Sequence, residues 1–399
     1  MIKISSKRRR AIAVLAISAI LALAVAACGS SSSGGSSGAS GSGGGSSSGS
    51  FMSSAQISQL QAVVNQAEQV PPFTNPGPPF DAKKAAGKKV MAIPTASQLP
   101  VCEQIAHDVV SIGQMVGMTG KVFDNSGGPS GWIPGIQQAI SQHYNAIVLL
   151  CGIDPNLIKP QLQAAKSAGI AVVDSGLFDS TVNHGSVSPL VTSQTNIPNY
   201  LSIKQAADYM LLQNKAKPFD IFEIQSNDLP AGIVMDKALR TEVNTYCPKC
   251  VIRSTDIPVP NWGQQVQPAV SSALQADPNA KVVFPIFDGE VPPASAAVRA
   301  SGKDVTLFGD YGGTPAYINQ MGAGTLPMGE DVGPTHLWRA YATMDEVLRI
   351  LSGNQPLSPD KDGDPSRLFT KQNFKDVNGP NGGFGTAFVT GYQKLWGVG

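Results

Sequence analysis

Charge is scarce in this sequence. Asp, Glu, Lys and Arg make up 14% of 399 residues, and the 29 basic residues almost cancel the 28 acidic ones. Beyond the first ten residues Lys and Arg form no extended cluster, which excludes a chain built to neutralise nucleic-acid phosphates. Histidine is scarcer still, with four in all, and none has a spacing that suits a catalytic triad. GxSxG and Walker patterns are missing too, and the glycines of "GGPSGW" at 127–132 match no nucleotide fingerprint. No enzyme and no cofactor are therefore expected, and His107 and His184 read as surface or structural residues. A second CxxC is also lacking beside Cys247-Pro-Lys-Cys250, which argues against zinc. No metal site is expected.

What is present begins with a basic start: Lys3, Lys7, Arg8, Arg9 and Arg10, with no acid among the first ten residues. Residues 11–27 are uncharged and mostly Ala, Ile, Leu and Val, a 17-residue run at the short end of what spans a bilayer. The pattern reads as an export signal over residues 1–28. Val25-Ala26-Ala27-Cys28 resembles the lipobox of bacterial lipoproteins, which implies acylation of the Cys28 thiol and an extracytoplasmic, lipid-anchored chain on the outer leaflet. Loss of this segment removes five basic residues and no acid, so 24 basic face 28 acidic residues, a formal charge of −4. Residues 29–50 are nearly pure Gly and Ser and cannot form a core. Such a coil has an r.m.s. reach of roughly 25 Å and reads as a tether. Residues 51–86 read as a helical and then Pro-rich spacer: Ile57, Leu60, Val63 and Val64 keep helical spacing before "PPFTNPGPPF".

From residue 87 an alternation starts. Apolar strands "KKVMAI", "KVFD", "NAIVLLC" and "IAVVDS" are separated by helical stretches at 103–117, 132–143 and 156–169, the last closed by Gly169. After a break at 176–199 the rhythm resumes with strands "FDIFEIQ", "VIRSTDI", "KVVFPIF" and "VTLFGD", intervening helices at 200–213, 231–245, 263–276 and 293–300, and a last helix at 335–353. The pattern predicts an α/β fold: two Rossmann-like lobes with parallel sheets joined by a hinge, with a ligand cleft at the carboxyl ends of the strands. The expected division is 87–194 plus 331–353 for the N-terminal lobe and 195–330 plus 354–399 for the C-terminal lobe and tail. Without Cys28 the cysteine count is an even four. Outside the cytoplasm an even count suggests disulfides. Cys247 with Cys250 makes a tight structural pair. Strand one is expected beside strand three, which puts Cys102 and Cys151 at the same edge and makes them the second pair.

The runs "GKKVMAIPTASQLP", "GIQQAISQHYNAIVLLCGIDPNLIKPQLQAAKSAGIAVVDSG", "ADPNAKVVFPIFDGE" and "LFGDYGGTP" resemble the type I periplasmic sugar-binding proteins of the ribose-binding class, over roughly residues 87–353. The resemblance implies a monomeric solute receptor that delivers a small molecule, a carbohydrate in most members, to an ABC permease. A ligand-sensing surface receptor that signals to a membrane partner is the alternative. It further implies hydroxyl-binding carboxylates at Asp174, Asp288 and Asp310. The loop around Ser97 and Gln98, and Ser175 after Asp174, would also face the ligand. Trp262 serves either as a stacking aromatic or as core. Four family features are missing: the stacking aromatic after strand one, where Gln98-Leu99-Pro100-Val101 stands; the Asn before Asp288, replaced by Phe287; the arginine after Asp174, replaced by Ser175; and an arginine early in the helix at 231–245. These departures leave a polyol, a modified sugar or a less polar solute open. The DNA-binding relatives of this fold are excluded, since an export signal is present and a headpiece is not. Finally, Asp360, Asp362 and Asp364 match the start of a calcium loop. Pro365 stands where glycine is needed and Lys371 where a bidentate Glu is needed. A solvated turn is expected there.

Overall fold

The computed structural model describes residues 50–183 and 186–399. Cys28, the signal-like segment, the tether up to residue 49 and His184 lie outside the described residues. Helix α1 (Ser54–Ala67) starts with a capping box, in which the Gln56 amide donates to the Ser53 hydroxyl and the Ser53 amide donates to the Gln56 side chain.

The first lobe is a five-stranded, wholly parallel sheet of β1 (Lys89–Pro94), β2 (Thr119–Val122), β3 (Ala146–Leu150), β4 (Ala171–Ser175) and β5 (Ser193–Thr195), in the order β2-β1-β3-β4-β5. Helices α2 (Pro100–Met115), α3 (Gly128–Ser141) and α4 (Lys159–Ser167) connect the strands. Side chains alternate faces along a strand, and the core follows that period. Val90, Ala92, Val148 and Val173 pack with Ile105 and Val109 of α2. Met91, Ile93, Ile147, Leu149 and Val172 pack with Ile136 of α3 and Leu162 of α4. The stretch 155–169 divides into a 3₁₀ turn, Pro155–Ile158, and α4, and Gly169 follows with the left-handed φ of 73° that ends the helix.

The second lobe repeats the plan with α5 (Asn199–Gln213), β6 (Asp220–Gln225), α6 (Pro230–Tyr246), β7 (Val251–Asp256), α7 (Trp262–Ala276), β8 (Ala280–Pro285), α8 (Val291–Ser301) and β9 (Thr306–Leu307). Its strands are parallel in the order β7-β6-β8-β9. Helix α9 (Pro315–Gly322) follows, then β10 (Glu330–Gly333), which pairs antiparallel with β11 (Arg367–Thr370). Between β10 and β11, α10 (His336–Leu351) returns to the first lobe and packs on α2, β4 and β5.

Both ends of the described chain are packed. Leu60, Val64 and Ala67 of α1 are buried in the second lobe's core, where α1 lies against α5. The following stretch crosses to the first lobe. There Phe73 meets Trp338 and Tyr392, with ring centroids 6.1 and 5.0 Å away, and the Phe80 amide donates to Leu395 O at 2.8 Å. The C-terminal helix, Ala387–Leu395, packs on α10. Among the described residues no helix is long and apolar enough to cross a membrane.

Candidate functional site

Loops at the carboxyl ends of both sheets meet around a cavity of about 270 Å³. The first lobe contributes Leu99, Pro100, Val101 and Cys102 at the start of α2, Cys151 and Gly152 after β3, and Gly176 after β4. The second lobe contributes Leu229–Ala231 at the start of α6, Trp262 at the start of α7, Phe287–Gly289 after β8, and Tyr311, Gly312, Thr314 and Tyr317 after β9. Ile197, Asn199, Pro334 and Arg339 enter from the segments that cross between lobes. Most of this wall is apolar or aromatic, with a small number of polar groups, which is the usual make-up of a small-molecule site.

Of the ligand residues expected from the sequence, the cavity wall includes Trp262 and Asp288. Trp262 is both cavity wall and core. Its indole stacks on Phe287 at 5.8 Å, and Nε1 donates to Ser226 Oγ at 2.8 Å and Ile257 O at 3.1 Å. Gly289 lies under the indole, and a Cβ there would overlap the ring. Asp288 accepts from Thr314 Oγ1 and lies directly over Gly312, where a Cβ would overlap the carboxylate.

Asp310 lies behind Asp288 and is fully buried. Asp288, Asp310 and Asp331 each place a carboxylate oxygen within 4.8 Å of the others. Burial raises the pKa of all three, and the charges of Asp288, Asp331 and Glu330 raise Asp310 further. Glu330, buried beside them, accepts from the Gly309 amide at 2.5 Å and is pushed up to about 8 by burial. Asp331 and Glu330 were not legible as site residues, because they sit on a strand that has no apolar run.

The remaining expected ligand residues take other places. Ser97 accepts from the Asn125 amide at 3.1 Å, and Gln98 is exposed and donates to Ser126 O at 3.3 Å, so the loop turns Leu99–Val101 to the cavity instead. Ser175 is buried behind the wall, where its hydroxyl accepts from Thr195 Oγ1 at 3.2 Å and Thr343 Oγ1 at 2.8 Å. Asp174 is fully buried under the end of β4, outside the cavity lining. Burial pushes it up to about 8, and the Leu177 amide offsets this in part.

An arginine does reach the cavity, though from α10. Arg339 donates through Nε and Nη2 to Asp364 Oδ2 at 3.1 and 2.9 Å, and through Nη2 to Tyr311 Oη at 2.9 Å. Asp364 is thereby separated from the other two acids of the calcium-like stretch. Asp360 is exposed, and Asp362 accepts from Tyr392 Oη at 2.6 Å beside Asp345 and Glu346. These three acids therefore do not converge on one ion.

Both cysteine pairs are joined. Cys102 and Cys151 form a disulfide on the cavity wall with Cα atoms 6.0 Å apart, and Cys247 and Cys250 form another with Cα atoms 5.3 Å apart.

The buried carboxyls give stability a definite pH sign. Glu290, Glu330 and Asp174 are all raised to about 8 in the folded chain from ordinary values of 4.5, 4.5 and 3.8. Their contribution is fully present below the lower values, where both states hold the proton. It is lost as pH rises through about 8, because the unfolded chain ionises first. The melting temperature should fall between about pH 5.5 and about pH 8.5, and Glu330→Gln should reduce the fall by removing one such group. An identical pH dependence in the variant would refute this assignment for Glu330.

Two parallel α/β lobes that close their strand ends on one cavity define a two-lobed, cleft-binding protein. Residues 90–355, more than half of the chain, match the periplasmic binding protein domain, and the chain belongs to that family of transport components, which bind rather than catalyse. Similar solved structures include an ABC transporter solute-binding protein from Agrobacterium vitis with bound allitol (TM-score 0.64, 19% identity, covering 73% of this chain and 98% of that one). A solute-binding protein from Mycobacterium smegmatis with bound glycerol has TM-score 0.64 at 18% identity, covering 74% of this chain and 99% of that one. Another M. smegmatis structure, in complex with β-D-fucofuranose, has TM-score 0.62 at 17% identity, covering 77% and 98%. At these identities the likeness is one of fold. Among curated proteins no sequence matches.

Proposed function

We propose that this protein captures a sugar or sugar-alcohol in the cleft between its lobes and delivers it to an ABC importer. The observation that carries the reading is the cavity wall itself: Trp262 stacked on Phe287 offers a flat apolar face, and Asp288 offers a hydroxyl acceptor beside it. Aromatic faces suit the C–H side of a sugar, and carboxylates accept its hydroxyls with charge-assisted strength. The ligands named for the allitol, glycerol and fucofuranose structures support the same class. Acylation at Cys28, with residues 29–50 as tether, would hold the receptor at the membrane outer leaflet; the support is the run Val25–Cys28.

A thermal-shift screen against sugars, sugar alcohols, aromatic acids and amino acids tests the reading. A true ligand at about a hundredfold excess over Kd adds about 2.7 kcal/mol of stability, several degrees in melting temperature. Shifts from sugars or sugar alcohols are expected; a shift from another class with none from carbohydrates would overturn it.

A further inference from the structure

The cleft is backed by a group of buried carboxyls that a neutral sugar would leave without a counter-ion. Asp288, on the cavity wall, has Asp310 and Asp331 behind it and Glu330 beyond, and all four are buried. Among the described residues no Lys or Arg forms an ion pair with any of them; the cation at the cavity, Arg339, is engaged by Asp364 and Tyr311. Their partners are backbone amides, the Thr314 hydroxyl and one another, with Asp310 hydrogen-bonded to both Asp288 and Asp331. From outside the group of carboxyls no donor reaches either oxygen of Asp310, Asp288 Oδ1, Asp331 Oδ2 or Glu330 Oε2. Buried carboxylates are normally paired, since uncompensated charge in a low-dielectric interior is costly. An unpaired buried carboxyl keeps its proton unless a cation lies beside it, and among the described residues the side of the group from which one could approach is the cavity face of Asp288. Aromatic rings share that face: Trp262, Tyr311 and Tyr317. Ring faces attract ammonium groups as well as sugar C–H faces.

We infer that the solute carries a protonated amine in addition to hydroxyls, as an amino sugar or amino-alditol does, and that Asp288 binds the ammonium group with Asp310 and Asp331 behind it. The inference rests on the reading of the cleft as the solute site. It narrows the solute from any carbohydrate to a cationic one. In this arrangement Asp288 accepts a charge-assisted hydrogen bond from the ammonium, whose charge in turn favours the ionised form of the carboxyls behind it.

Matched ligand pairs test it by isothermal titration of the full chain: glucosamine against glucose, galactosamine against galactose, and amino-deoxy-alditols against the parent alditols, with putrescine, calcium chloride and magnesium chloride as separate arms. For at least one pair the amine should bind about tenfold or more tightly than its neutral partner. Asp310→Asn, or Asp331→Asn if the first does not fold, should shrink that preference to about threefold or less with neutral-ligand affinity retained. Equal or tighter binding of the neutral member in every pair would overturn the inference and leave the sugar reading standing. Binding of putrescine with no carbohydrate bound would do the reverse. Calcium or magnesium bound alone, and competing with the amines, would show the carboxyls to be a metal site and overturn the inference.

Discussion

Replacing Arg349 with methionine should destabilise the protein by about 3–5 kcal/mol, the usual cost of leaving one partner of a buried ion pair behind. The arginine side chain is 2% exposed. Its Nε donates to Asp345 Oδ2 at 2.6 Å, its Nη1 donates to Pro78 O at 2.9 Å, and its guanidinium lies 4.6 Å from the centre of the Phe80 ring. Trp396 Nε1 donates to the other Asp345 oxygen at 2.6 Å. One charged pair on α10 thus holds the segment before β1 and the C-terminal end of the chain together. Methionine fills the space without the charge, leaving the Asp345 carboxylate buried and Pro78 O unpaired. Urea denaturation of Arg349→Met, beside the double variant with Asp345→Leu, measures the effect. The double variant should recover part of the loss, because it removes the stranded charge. A single variant within about 1 kcal/mol of the parent chain would show the pair to be dispensable.

The second large effect is expected at the Cys102–Cys151 disulfide. The bridge spans a sequence separation of 49, and loop-closure entropy assigns such a bridge about 4 kcal/mol. Cys247 and Cys250 are separated by 3, and the same relation gives about 2 kcal/mol. The paired serine variants should therefore rank in that order by urea denaturation. The first should also weaken ligand binding, since both of its cysteines line the cavity and the bridge ties the start of α2 to the end of β3. Equal losses from the two serine pairs, or none from the first, would contradict the argument.

Much of the fold was legible because the sheets are parallel and covered on both sides. Continuous apolar runs such as "AIVLL" and "KVVFP" have no other stable use, and the helices between them keep their period. Three strands escaped that logic. β5 is Ser-Gln-Thr and fully buried, held through Ser193 Oγ donating to a Glu346 oxygen and Thr195 Oγ1 donating to Ser175. β10 and β11 carry Glu330, Asp331 and Arg367 into the interior. Polar side chains on a strand read as solvent-facing unless their partners are known, and the partners here come from distant segments. The candidate site was half legible for the same reason. Trp262 and Asp288 follow recognisable strand ends. Arg339 looks like an ordinary charge on a long helix until α10 is seen buried on nearly every side, with Asp345, Glu346 and Arg349 inside it as well. Ser175 turns its side chain toward Thr343 instead of the cleft, another partner from a distant segment.

The path of the chain ahead of β1 bears on where this protein can be cut. Residues 90–355 match the family, yet Leu60 and Val64 fill the second lobe's core, and Phe73, Pro78 and Phe80 dock on the first. The closing helix contributes Phe388, Tyr392 and Trp396, all fully buried or nearly so. A protein trimmed to the matched stretch would lose both belts, uncover apolar surface on each lobe and strand Arg349. Such a truncation should therefore be less stable than the chain that keeps both flanks.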